Sequence, residues 1–330
     1  MGIPKLNKWL LDKCSPTSIQ KHHLTDLQDK RIAVDISIYL YRFLVDGHFM
    51  EQLYLFLATL RYYCISPVIV FDGKAPAEKR ATIQRRKTEK QDARAQYILL
   101  EEQLAQTEDI ILRQDIQKKM AALKKRMVRI TWAYIDSAIE LINAFGFEYY
   151  LAPCEADNLC VHLALTNDVY AILSDDMDLL LSGAPRLLRG FNISTHEVIL
   201  YDSYAILVDM GMTLEDFRAT VALSGTDYEL NTPRPNMAIK RCFELYQEYR
   251  SENKGESMID WLGHKGIIEP VEYRHICSMF EHNETQLAEF VNKNKPPPRK
   301  MRLAEIRAIM RPHKFIFPGH LATVEHTPGV

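Results

Sequence analysis

No CxxC pair, no HxH and no HExxH spacing occurs anywhere in the 330 residues. The six cysteines (Cys14, Cys64, Cys154, Cys160, Cys242 and Cys277) are scattered singly, and the eleven histidines form no ligand pattern. A disulfide frame, a zinc site and a histidine metal site therefore have no support, and the cysteines read as reduced thiols. No apolar run approaches the roughly 18 residues that a membrane span needs, so no membrane partner is expected. Leu6 stands where N-myristoylation wants Ser or Thr, and no secretory leader is visible; an intracellular protein is expected. Internal repeats and extended low-complexity tracts are missing too. So is an excess of one charge: the net is −2, and any nucleic-acid signal must be local.

Hydrophobic residues at 47% and charged ones at 25% suit a soluble globular chain with a sizeable core. The length fits one large α/β domain or two ordinary ones. Several short apolar, β-branched or aromatic runs each end in acids. RIAVD ends at Asp35, PVIVFD at Asp72, FEYYLAPCEAD at Glu155 and Asp157, and VYAILSDDMD at Asp176 and Asp178. Helical stretches separate them, which predicts α/β architecture: a mainly parallel sheet flanked by helices. In such sheets the functional crevice lies beyond the carboxyl ends of the strands, so the acids are expected to converge.

Convergence is costly. Two carboxylates about 4 Å apart repel by roughly 4 kcal/mol at an effective dielectric of 20. Each acid alone reads as a helix cap or a solvated loop; four strand ends together do not. Counting Asp227, seven carboxylates and no histidine or cysteine make an all-oxygen set, suited to Mg²⁺, with Mn²⁺ as a substitute. Seven exceed what one Mg²⁺ uses. Two ions are the economical reading, and two-metal sites belong to phosphoryl transfer.

Residues 74–130 carry fifteen Lys and Arg against eight Asp and Glu, which is the local basic signal. They read as a polar helical hairpin directly after Asp72. Lys79, Arg85 and Arg86 are placed on one helix. Lys79 and Arg86 are two turns apart and share a face that can offer two cations to one phosphate. The bland alternative is a solvated hairpin. Residues 212–250 read as helix, turn, helix with Gly225, Pro233 and Pro235 as breakers, and residues 292–300 as an exposed linker or a weak basic tract.

The ordered motifs MGIPKLNKWL, AVDISIYLYRFL, VIVFDGKAPAEKR, APCEAD, SDDMDLL and SGTDYE resemble the flap endonuclease/XPG family of structure-specific 5′ nucleases over roughly residues 1–250. The resemblance implies a PIN-like nuclease core with a helical arch and a C-terminal helical region. It divides the chain at 1–110, 111–145, 146–230 and 231–330. It implies one metal group of Asp35, Asp72, Glu155 and Asp157 and a second of Asp176, Asp178 and Asp227. Lys79 and Arg86 match the pair that grips the scissile phosphate. Gly2, Tyr41, Lys79, Arg85, Arg86, Glu155, Gly225 and Asp227 match DNA contacts, Tyr41 by stacking on a terminal nucleotide and Gly2 by lying against the substrate. Residues 74–130 resemble the arch that passes a 5′ single strand. Family members commonly carry Glu where Asp157 stands, so a contact through water is expected there. The glycine-rich hairpin after the last aspartate is replaced by NTPRPNMAIK. Pro233 and Pro235 lack an N–H and have fixed φ, so a weak grip on the remote duplex and no K⁺ requirement are expected. No sliding-clamp peptide is visible in the tail. The short tail and divergent hairpin look like copies carried by large DNA viruses.

A metal-dependent endonuclease on 5′-flap or branched DNA in replication, repair or recombination is therefore expected, acting as a monomer in the nucleus, with the cytoplasm as alternative. A 5′→3′ exonuclease or junction resolvase on the same scaffold is the second reading. A non-catalytic nucleic-acid binder is the third, weakened by the intact acid set. A DxD glycosyltransferase would need a sugar-nucleotide site that does not appear.

Overall fold

Among the described residues, seven strands form one sheet: β1 (Ile19–His23), β2 (Arg31–Asp35), β3 (Ser66–Phe71), β4 (Glu148–Leu151), β5 (Ala171–Leu173), β6 (Arg186–Asn192) and β7 (Glu197–Asp202). The computed structural model describes residues 3, 5–226, 228, 237–252, 255–297 and 299–317. Strand order is β1-β7-β6-β5-β2-β3-β4. β4, β3, β2, β5 and β6 run parallel, while β7 pairs antiparallel with both β6 and β1. The acid-ended runs of the sequence are β2, β3, β4 and β5, four adjacent parallel strands with β4 at the sheet edge.

Alternation explains why these runs pair. In β2, Ala33 faces one side of the sheet while Ile32 and Val34 face the other; in β3, Val68 and Val70 oppose Ile69 and Phe71. Both faces are apolar because both are covered, as a parallel sheet requires. One face packs against the helices Ala156–Leu165, Leu214–Ala222, Ile239–Glu252 and their neighbours. The other packs against Ile36–Asp46, Phe49–Tyr62 and Trp132–Phe145. β1, IQKHH, has a mostly exposed pattern and lies at the sheet edge, where polar residues do no harm.

From β2 the chain moves outward to β3 and β4, then returns to the other side of β2 with β5. Strand order reverses there, so the carboxyl ends of β2 and β5 open a crevice. Val34 lies opposite both Ile69 and Leu173, so the last residues of β2, β3 and β5 sit at nearly one level. The basic stretch forms two helices, Arg80–Gln106 and Ile110–Met127, packed against each other. Only Thr82 and Ala93 of the first are buried; the second buries Ile116, Met120 and Leu123, a seam of i, i+4, i+7 spacing.

Candidate metal centre and nucleic-acid cleft

Asp35 is the last residue of β2 and also the N-cap of the following helix, accepting the Ser37 N–H at 3.2 Å. Its other oxygen accepts from the Ser174 hydroxyl at 2.9 Å. The capping reading is thus correct for this acid, but it does not exhaust it. Asp35 is buried, and its carboxyl is pushed up to about 7 by that burial and then by the charges of Asp72 and Asp176, against the pull of Ser174 and Ser37.

Asp72 follows β3 and accepts the Ala156 N–H at 2.9 Å, which ties the β3 loop to the start of the helix Ala156–Leu165. Gly73 makes that approach possible. A Cβ there would lie 1.9 Å from the Ala152 carbonyl oxygen, and its N–H donates to the Cys154 carbonyl at 2.7 Å. Glu155 is the N-cap of the same helix and Asp157 lies in its first turn. The helix dipole favours carboxylates there. Burial nevertheless pushes Asp157 well above the carboxylate range, helped by Asp35, Asp176 and Asp72 and opposed by Lys79.

Asp176 lies in the loop after β5, where its N–H is bound by Ser174 Oγ at 3.2 Å and its Oδ1 accepts the Asp178 N–H at 3.1 Å. Asp178 is buried at the start of the four-residue helix Asp178–Leu181. Asp175 points elsewhere: it pairs with Arg42 and accepts the Gly190 N–H at 2.8 Å. Burial would raise its carboxyl, but Gly190, Arg42 and Arg189 outweigh burial and hold it low.

Asp35, Asp72, Glu155, Asp157 and Asp176 line one cleft of about 500 Å³ together with Lys79, Arg86 and Tyr41. Lys79 Nζ reaches Glu155 Oε1 at 2.7 Å and lies 4.7 Å from the centre of the Tyr228 ring. Burial lowers its proton affinity, but Tyr228, Glu155 and Asp157 overcome that, so the ammonium is firmly charged. Lys79 is not on the long helix, as the spacing suggested; it closes the one-turn segment Ala77–Lys79, and the helix begins at Arg80. Arg85 is not brought to the cleft. One helical position from Arg86 turns it about 100°, and it stands in solvent 3.8 Å from Glu89. Gly225 ends the helix Leu214–Ala222 region with φ +99°. Gly2, Asp227 and the hairpin residues 231–236 lie outside the described residues.

The donor set fits a hard dication. Asp35 and Asp157, whose proton affinity burial and the neighbouring acids raise, stand with Asp72 and Asp176 as a set of oxygen ligands only. Among the described residues no three acids already close on a common point, consistent with like charges spread along a rim.

Four residues support this site in ways the motifs do not signal, Arg42 although it lies within AVDISIYLYRFL. Lys90, one turn beyond Arg86, lines the cleft, donates to the Val128 carbonyl at 2.9 Å and lies 5.8 Å from the Tyr41 ring centre. Its 86–90 spacing was the available signal. Arg42 neutralises Asp175. Arg218 Nε donates to the Leu181 carbonyl at 2.5 Å and His282 Nε2 to the Ser182 carbonyl at 2.9 Å, anchoring the end of the helix that begins at Asp178. No sequence pattern announces contacts over such separations.

The XPG N-terminal domain family model matches residues 1–93 and the XPG I-region model residues 146–227. Flap endonuclease 1 of Anoplopoma fimbria is 31% identical over 269 residues, 76% of this chain and 67% of that protein. Flap endonuclease 1 of Xenopus tropicalis is 29% identical over 293 residues, 83% of this chain and 72% of that protein. Among solved structures, the catalytic core of Rad2 in complex with DNA substrate superposes with a TM-score of 0.64 at 22% identity, covering 94% of each chain.

Proposed function

The chain belongs to the flap endonuclease/XPG family, and from that premise we propose a metal-dependent, structure-specific 5′ endonuclease that hydrolyses phosphodiester bonds in flap or branched DNA. One observation carries the reading. Four adjacent parallel strands deliver Asp35, Asp72, Glu155, Asp157 and Asp176 to one cleft that also holds Lys79 and Arg86.

Asp35, Asp72, Glu155 and Asp157 would hold one divalent cation, and Asp176, Asp178 and Asp227 a second, Mg²⁺ with Mn²⁺ as substitute. Bound there, such cations supply an activated water and neutralise charge on the leaving oxygen. The chain's own residues do the rest. Lys79 exchanges its contact with Glu155 for the scissile phosphate and stays charged while doing so. Arg86, on the helix Arg80–Gln106, takes a second phosphate oxygen, so negative charge that develops in the transition state meets fixed cations. Tyr41 offers a ring face beside the phosphate path. The basic hairpin draws the single strand by charge, and the phosphate is chosen by shape rather than base sequence. No helix among the described residues is long and apolar enough to cross a membrane; we assign the protein as a monomer to the DNA-containing compartment, the nucleus first.

The test is a panel of end-labelled 5′-flap, recessed-duplex, four-way-junction and single-stranded DNAs, with Mg²⁺ or with chelator. Cleavage near the flap junction, only with metal, is expected. Stepwise release of 5′ nucleotides or symmetric nicking of the junction would move the assignment to exonuclease or resolvase. Lys79→Ala should lower the single-turnover rate about 100-fold, the scale of one lost transition-state donor, with a smaller change in affinity. A pure affinity loss would return Lys79 to the general binding surface.

A further inference from the structure

Trp132 is 70% exposed, whereas Trp261 is buried and Trp9 stacks on Phe243 with ring centres 5.1 Å apart. Singly exposed apolar side chains are common and decide nothing by themselves. The place of this one does. Trp132 opens the helix Trp132–Phe145, directly after the loop that leaves the basic hairpin. That loop is fixed to the cleft: Lys90 Nζ holds the Val128 carbonyl at 2.9 Å, and Ile130 lines the cleft beside Tyr41, Lys90 and Arg126. The helix start is fixed as well. The Thr131 carbonyl accepts the N–H groups of Tyr134 and Ile135, and the Tyr134 ring meets Phe49 edge-on at 5.0 Å. The indole therefore stands on a rigid element, two residues beyond the cleft wall.

The surroundings select its ligand. Arg126 and Arg129 have no acidic partner among the described residues, and Arg86, Lys90 and Arg129 are close enough for Lys90 to lose proton affinity, by burial first and then by those two charges. An apolar protein partner seated on Trp132 would have to leave these cations uncompensated. A polyanion neutralises them, and a nucleobase offers the flat apolar face that an exposed indole stacks against.

We propose that Trp132 is a stacking platform for a base of the single-stranded 5′ arm, set beside a phosphate track of Lys90, Arg126 and Arg129. The inference rests on the nuclease reading of the cleft and adds to it the path of the arm after it passes Tyr41. It predicts that the arm is held by its bases as well as by its charge.

The experiment uses the full chain in chelator, so that nothing is cut, with oligothymidine and an abasic oligonucleotide of equal length and charge. Fluorescence anisotropy of a 5′ dye reads binding; tryptophan emission, compared with that of Trp132→Ala, reads the exposed indole. Oligothymidine should quench emission and bind about tenfold more tightly than the abasic strand, within the range for one stacked base. Trp132→Ala should lose the quenching and most of the preference, keeping only the part that Tyr41 supplies, and Trp132→Phe should keep most of the preference. The ring is in solvent, so both variants fold, which circular dichroism verifies. Binding of oligothymidine without quenching, or equal affinities of the unaltered protein for the two strands, overturns the platform and leaves the cleft reading standing. If neither strand binds, the cleft reading falls with it.

Discussion

Asp175 and Asp178 sit three positions apart and are proposed for opposite roles, which makes them the sharpest test at the scale of single residues. Asp178→Ala should abolish metal-dependent cleavage while the protein stays folded, and without metal it should be at least as stable as the parent, because a buried acid beside Asp176 is removed. Asp175→Asn should cleave normally. It keeps an acceptor for Gly190 but loses the pairing with Arg42, which is 45% exposed, so about 0.5–1 kcal/mol of stability should go. Urea denaturation beside flap cleavage separates the two; an Asp175→Asn variant as dead as Asp178→Ala would sink the division. His282 makes a pH prediction. Burial lowers its proton affinity from an ordinary value near 6.5, with Arg218 and His162 adding to that, against the pull of the Ser182 carbonyl and Glu284. The folded state therefore refuses a proton that the unfolded state takes. Its stabilising contribution is full above pH 6.5 and lost as pH falls below it. Urea midpoints of the parent and His282→Gln should converge as pH drops from 7.5 toward 5.5, roughly one unit either side of that value. A constant gap would show that His282 does not titrate differently on folding.

Among the elements, the basic hairpin is where charge rather than packing decides. Its first helix of 27 residues buries two, so its persistence depends on the Ile116, Met120, Leu123 seam of the second. Lys119 is engaged with Asp115 at 2.7 Å, whereas Lys118, Lys124 and Lys125 face solvent. Neutralising all four should flatten the slope of log K against log salt for single-stranded DNA by about two to three, at about 0.7 for each phosphate that goes unneutralised. An unchanged slope would make the hairpin a solvated face with DNA bound elsewhere. The hairpin could be read from the sequence because charge and helical spacing are local properties. The acid-ended strands could be read for the same reason: RIAVD and PVIVFD carry both the apolar run and the acid. β1 and β6 could not, since IQKHH and RLLRGFN show no clean alternation and owe their pairing to β7. Arg42 and Arg218 were equally silent, because each acts on a residue more than thirty positions away. The motif places Lys79 at the cleft, but helical spacing puts it on the wrong element, since a 3₁₀ turn interrupts the helical count before Arg80.

The molecule as a whole is held by its far end. After the helix Glu284–Asn294, which packs toward Tyr150 through Phe290, the chain passes the turn at Gly146 and changes sides of the sheet. The passage is tight: a Cβ on Gly146 would lie 2.8 Å from the Lys300 carbonyl carbon, and the Arg302 N–H donates to the Ala144 carbonyl at 2.8 Å. The helix Leu303–Met310 then lays Ile306 and Met310, both fully buried, onto the helix Trp132–Phe145 face, and Phe315 and Phe317 close on Tyr54 with ring centres 4.4 and 5.5 Å away. Each fully buried side chain is worth about 1.5–3 kcal/mol, so ending the chain at Arg302 should remove roughly 5 kcal/mol. That is a large part of the 5–15 kcal/mol typical of a domain. Ile306→Ala alone should cost about 2–4 kcal/mol through the cavity it leaves. None of these residues lines the acid cleft. Ile306→Ala should therefore keep the parent's single-turnover rate and salt slope at a temperature where it remains folded, while its urea midpoint drops. A lowered midpoint with an altered slope would mean that this end of the chain also touches DNA. An unchanged midpoint for the shortened chain would show that the covered face is stable without its last helix.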